Sequence, residues 1–204
     1  MTTPRPATVS STPAPLALAP SGPATLNRES VAAVDAYRSG DTAKAFSLWS
    51  ELAENGVLDA QVNLANLYQS GIGVERDYVQ AVIWYRKAAD QGVPTAQTGL
   101  GSLYYLGQGV AQDFVKAMFW FAKAADQGDP LAQFALGRMY GMGQGVAVDR
   151  ATARMWLQLA SEAGSQPAAA YNQQIVAEMS ENENAKSIAQ LNDWHRAHPG
   201  VKPQ

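Results

Sequence analysis

Cysteine is absent from all 204 residues. The chain therefore has no disulfide framework, no thiolate metal site, no cysteine nucleophile and no lipid-modified Cys. The same absence leaves the redox compartment open. Charge is scarce at 16%, with 15 basic against 18 acidic side chains and a net charge of −3. No Lys/Arg-rich block occurs, which argues against nucleic acid, because that binding draws on clustered cations that release counterions. No apolar run approaches the roughly 20 residues of a membrane-spanning helix. Histidine occurs only at His195 and His198, with Asp193 alone as acidic support. A metal or general-base role needs more convergent partners, so these are expected to be solvated terminal residues. The serines and threonines share no His/Asp constellation. Neither catalysis nor a cofactor is expected.

What is present falls into two materials. Residues 1–26 hold six of the eleven prolines among Ala, Thr and Ser, with Arg5 the only charge before Arg28. Such a segment buries too little surface to offset its ordering entropy, and a disordered leader is expected. Its longest proline-free apolar piece, Leu16–Ala19, is short of a secretory core. The cytoplasm is the default compartment on that ground. The periplasm or secretion follows if the leader is a processed or truncated export segment.

The remainder repeats. GIGVERDYVQAVIWYRKAADQG (71–92) recurs thirty-six residues on as GQGVAQDFVKAMFWFAKAADQG (107–128) and again as GQGVAVDRATARMWLQLASEAG (143–164). A period of that size signals a solenoid. Three units follow, 60–95, 96–131 and 132–167. In each, a helix A carries apolar residues at i, i+4, i+7 and i+8: Ala60, Leu64, Leu67 and Tyr68, then Ala96, Leu100, Leu103 and Tyr104, then Ala132, Leu136, Met139 and Tyr140. A helix B alternates Trp84, Trp120 or Trp156 with alanines, which predicts buried indoles between closely packed helices.

A Gly-x-Gly turn opening a helix can also cradle phosphate. Here no Gly-Lys-Ser/Thr continuation follows and no strand precedes. Asp77, Asp113 and Asp149 stand where they would cap helix B, already placing negative charge among its free amides. Gly71, Gly107 and Gly143 fit the left-handed position that ends helix A. Val74, Val110 and Val146 are placed to plug the turn. Pro94 and Pro130 are expected to stop propagation after Gly92 and Gly128.

The pattern Ala-x3-Leu-(Gly/Ala)-x2-Tyr-x2-Gly-x-Gly-Val-x2-Asp-x3-Ala-x2-Trp-x3-Ala-(Ala/Ser)-x2-Gly closely resembles the Sel-1-like repeat, a relative of the tetratricopeptide repeat. The resemblance implies an all-α solenoid of antiparallel helix pairs in a right-handed superhelix, serving as a protein-interaction scaffold. It also implies bacterial, cytosolic or secretory-pathway settings. Members linked to β-lactam recognition carry paired cysteines per repeat, absent here, so a small-molecule-binding or hydrolytic protein is the weaker alternative. A self-associating structural element is another.

Residues 27–59 look like a shorter, tetratricopeptide-type unit, with Tyr37, Ala45, Leu48, Ala53 and Gly56 at the places of Tyr68, Ala81, Trp84, Ala89 and Gly92. After Pro167 the pattern decays, with Asn172 where a core leucine is due. Residues 168–198 are expected to form two helices covering the last repeat's exposed face, and 199–204 a tail. By tetratricopeptide correspondence, the binding groove is lined by Asn66 and Gln69, then Thr98, Ser102, Tyr105 and Leu106, then Phe134, Arg138 and Met142. Its carboxyl-terminal half is apolar beside one cation, which suits an apolar or aromatic peptide segment with an acidic group at Arg138. Alternatively, the terminal helices cover that patch. The expected partner is a protein or peptide bound by a monomer.

Overall fold

The computed structural model describes residues 28–201. The leader lies outside the described residues. Ten α-helices follow in order: α1 (Arg28–Arg38), α2 (Thr42–Glu54), α3 (Leu58–Ser70), α4 (Tyr78–Ala89), α5 (Pro94–Leu106), α6 (Phe114–Ala125), α7 (Pro130–Met142), α8 (Arg150–Glu162), α9 (Gln166–Ala177) and α10 (Glu181–Ala197). No strand occurs among the described residues. Each helix from α1 to α8 packs on the next, so α3, α5 and α7 are the A helices and α4, α6 and α8 the B helices of a solenoid.

The helix boundaries follow from local chemistry. The A helices end at Gly71, Gly107 and Gly143, all left-handed, whose N–H groups bond to Leu67, Leu103 and Met139 carbonyls. The second glycine of each turn has a different duty. A Cβ on Gly109 would lie 2.3 Å from the Tyr78 carbonyl oxygen, and one on Gly73 2.4 Å from that of Thr42. Each turn thus rests on the first residue of the preceding unit's B helix. The B helices start on the expected aspartates: Asp77 accepts from Val79 and Gln80 N–H, Asp113 from Lys116 and Asp149 from Thr152.

Pro94 and Pro130 open α5 and α7 instead of blocking a helix. At the first helical position the missing N–H is one that would be unpaired anyway. The A helices accordingly begin two residues before the units drawn from the sequence.

The alanine positions of the core are fully buried, among them Ala81, Ala88, Ala117 and Ala124. Trp120 and Trp156 are buried, whereas Trp84 is only half-buried, its ring faced by Lys87 Nζ at 3.7 Å. The more deeply buried large side chain of helix B is the next one along, Trp49, Tyr85, Phe121 and Leu157, at 2%, 3%, 3% and 0% exposure. Its chemistry changes in every unit, so identity matching passes over it. Gly101 and Gly137 admit it: a Cβ there would lie 2.8 Å from the Phe121 ring and 2.5 Å from Leu157.

A buried glutamine ladder joins the units. Gln61, Gln97 and Gln133 donate through Nε2 to the last-turn carbonyls of Ala53, Ala89 and Ala125, at 3.2–3.3 Å. The rung is missing at α9, where Ala169 stands at this position.

α9 continues the alternation, and its buried Asn172 donates to Gln158 Oε1 at 2.9 Å. The residue that breaks the leucine pattern is thus a hydrogen-bonded polar contact with α8. α10 turns away and packs on α8. Lys186 meets Asp149 at 2.9 Å near the start of α8, and His195 meets Glu162 at 3.2 Å near its end, so the two helices run parallel. The histidines remain partly exposed at this end of the chain but have partners. His195 pairs with Glu162, and His198 stacks on Trp194 with centroids 4.4 Å apart.

Candidate functional site

The A-helix face differs from one inter-unit gap to the next. Between α3 and α5, Tyr85 from α4 fills the space. Its ring leans on α5 where that helix has Gly99, whose Cβ would lie 2.6 Å from the ring. Its hydroxyl sits within hydrogen-bond reach of Asn66 Oδ1 and, at 2.9 Å, of Gln69 Oε1. One phenolic proton serves one acceptor, so the other amide must turn its NH2 towards the phenol oxygen. Burial drives the Tyr85 pKa above its ordinary value and keeps the donor protonated. Asn66 and Gln69 are thereby engaged within the fold, and Val62, one turn before Asn66 on α3, is core at 2% exposure.

Between α5 and α7 the arrangement opens. Phe121 replaces Tyr85 and has no hydroxyl. Ser102 and Tyr105 replace Asn66 and Gln69, and Ala135 replaces Gly99. The Phe121 ring lies against Gly101 of its own unit. A cavity of about 180 Å³ results, lined by Ser102, Tyr105, Leu106, Phe121, Phe134, Ala135, Arg138 and Met139. Five residues singled out by helix correspondence thus meet in one place: Ser102, Tyr105, Leu106, Phe134 and Arg138. Phe121, Ala135 and Met139 come as floor and wall. Thr98 lies one turn back on α5, its carbonyl accepting from Ser102 Oγ at 2.9 Å. Met142 is exposed at the far end of α7, outside the cavity lining.

The rim is held by specific contacts. Tyr105 donates its hydroxyl to Gln144 Oε1 at 3.0 Å, which ties α5 to the next turn, and its ring lies 5.4 Å from that of Phe114. The Arg138 guanidinium sits over the Phe134 ring at 5.8 Å and makes no ion pair among the described residues. Phe134 also packs on the cluster built by Leu157, Ala168 and Ile175, so α9 supports the outer wall. α10, on α8, leaves the α5–α7 gap uncovered. Asp129 caps α7 by accepting from Ala132 N–H at 2.9 Å, and its burial raises its pKa.

Among the described residues, no cluster of His, Asp or Glu could hold a metal ion, and no helix is long and apolar enough to cross a membrane.

Similar solved structures include two at about 40% identity. One is a protective antigen of uropathogenic Escherichia coli displaying an SLR fold. It is 40% identical over 62% of this chain and 27% of that one, with a TM-score of 0.61. The other is a Sel1 repeat protein from Oxalobacter formigenes, 39% identical over 62% of this chain and 95% of that one, with a TM-score of 0.56. The chain thus spans about a quarter of the E. coli protein's length. No curated protein matches. The Sel1 repeat profile matches residues 58–93, 94–129 and 130–165, in phase with the observed helix starts. Sel1 repeat proteins are generally non-catalytic protein-interaction scaffolds. With three consecutive matched units over more than half its length, the chain belongs to the Sel1 repeat family.

Proposed function

We propose that the chain is a non-catalytic adaptor that receives one apolar or aromatic side chain of a protein or peptide segment in the gap between α5 and α7. A carboxylate on the same segment pairs with Arg138. The observation that carries this reading is the open cavity of about 180 Å³ with an unpaired guanidinium on its wall. Its size matches a large side chain, and it is smaller than the roughly 300–1,000 Å³ of small-molecule sites. An apolar floor with one convergent charge is the arrangement expected of an anchor pocket.

The test is affinity capture from the native organism's lysate with three forms of the full chain: wild type, Leu106→Asp and Arg138→Glu. Leu106 is 54% exposed, so its variant retains the fold. A protein retained by the wild type and lost from both variants supports the reading. Equal retention by all three, or none by the wild type, overturns it. The double variant Tyr105→Asp, Phe134→Asp strikes the pocket harder, with circular dichroism needed to confirm its helicity because Phe134 also packs against α9's cluster.

A further inference from the structure

The outer face of α8, opposite the side that meets α7, is covered by the chain's own α10. Ala151, Met155 and Leu159, one turn apart, are exposed by 1%, 7% and 4%. The repeat spacing places Val115, Phe119 and Lys123 on the same stripe of α6, and Val79, Ile83 and Lys87 on that of α4. There the apolar side chains stand open, from 41% at Ile83 to 66% at Val115. The stripe ends at α2, where Ala43, Ser47 and Glu51 occupy it.

We infer that the outer face of α4 and α6 is a docking surface for an amphipathic helix of a partner protein, laid along it as α10 lies along α8. Three observations converge on this occupant. The chain already seats a helix on the equivalent stripe one unit away, so the surface continues an interface that exists within the molecule. Exposed apolar residues one turn apart are the anchors a helix's apolar face requires. The charge pattern sets the chemistry: Lys87 and Lys123 stand where α8 has Leu159, the residue beside Trp194 in the lining of one small cavity. The partner helix therefore carries apolar residues opposite Val115 and Phe119, or Val79 and Ile83, and Asp or Glu where α10 carries Trp194. Lys123 Nζ now lies 4.9 Å from the Phe119 ring and Lys87 Nζ 3.7 Å from the Trp84 ring. The Lys123 ammonium is held on the stripe by the Phe119 ring face and that of Lys87 lies beside the stripe over Trp84, which positions both for a carboxylate. This surface shares no residue with the A-helix cavity.

The probe is a fluorescent synthetic peptide of residues 180–197 bearing Trp194→Glu, titrated into the full chain and followed by anisotropy. Saturable binding is expected, weakened about tenfold or more by Phe119→Glu and by Lys123→Glu, and lost when the peptide carries Trp194→Lys. The exposed Val115→Glu serves as a second folded variant, with circular dichroism to verify helicity. Absence of saturable binding overturns the inference. Binding indifferent to Phe119→Glu also overturns it, since the peptide would then be displacing α10 from α8. Sedimentation with phosphatidylglycerol vesicles, or a concentration-dependent mass abolished by Phe119→Glu, in the absence of peptide binding would replace the helix by a lipid surface or a second copy.

Discussion

The gap between α3 and α5 is closed and the gap between α5 and α7 is open, although the two are built from one repeat. The difference lies in an exchange of small residues and one hydroxyl. In the first gap, the unit's own A helix has Ala65 and the next has Gly99, so the Tyr85 ring leans forward and its hydroxyl engages Asn66 and Gln69. In the second, the order is Gly101 then Ala135, so the Phe121 ring lies back on its own helix and leaves room in front. A repeat protein can thus create a pocket without disturbing its frame, by altering the residue just after the helix B tryptophan and the glycine that admits it.

The strongest challenge to this comparison is Phe121→Ala. The ring is 3% exposed although it floors the cavity, so its loss should cost about 3–5 kcal/mol in chemical denaturation, as for other core aromatics. A cost below about 1 kcal/mol would mean that the ring is not core. Gly101→Ala comes next. Its Cβ would crowd the ring at 2.8 Å, an overpacking worth about 1–3 kcal/mol. Adding Ala135→Gly should recover stability by letting the ring lean forward, as Tyr85 does, and should abolish partner capture. Tyr85→Phe removes the donor between Asn66 and Gln69 at an expected cost of about 0.5–1.5 kcal/mol. Arg138→Gln should leave stability within about 0.5 kcal/mol. It should weaken capture about tenfold, with wild-type binding also falling as salt rises.

The smallest effect is one of pH. Asp129, half-buried at the start of α7, has a raised folded pKa, so it favours the folded state as pH falls through that value. Asp149 titrates the other way. Burial raises its pKa, but hydrogen bonds from Lys186 and Thr152 outweigh this, and the stability it contributes above the unfolded carboxylate range is lost on acidification. Melting temperatures at pH 4 and pH 7 should converge in Asp149→Asn and diverge further in Asp129→Asn.

The frame was legible because its constraints are local and repeat as identities. Gly71, Gly107 and Gly143 end helices, Asp77, Asp113 and Asp149 start them, and the leucine and alanine stripes fix the packed faces. The cavity was half legible. Tyr105, Phe134 and Arg138 follow from the resemblance to tetratricopeptide repeats, but whether a gap opens depends on Tyr85 against Phe121, a variable position on the other helix. Gln61, Gln97 and Gln133 recur perfectly yet are polar, so a search for apolar periodicity passes over them although their carbonyl partners lie in the preceding unit. That the terminal helices cover the last repeat was legible, but the parallel seating of α10 on α8 was not, because Lys186 meets Asp149 and His195 meets Glu162 over sequence separations that no local rule spans.

Because the second glycine of each turn seats on the opening residue of the helix one unit earlier, the joints between units are interchangeable. Removing residues 94–129 in frame would bring Gly145 onto Tyr78 and Gln133 onto Ala89, contacts of the kind already made. The shortened chain would still coil, but Tyr85 would then face α7, where Ala135 puts a Cβ in the place of Gly99, and the vestibule floored by Phe121 would vanish. The pocket is a property of a seam between neighbours, and lengthening or trimming the array edits recognition without redesigning the building block.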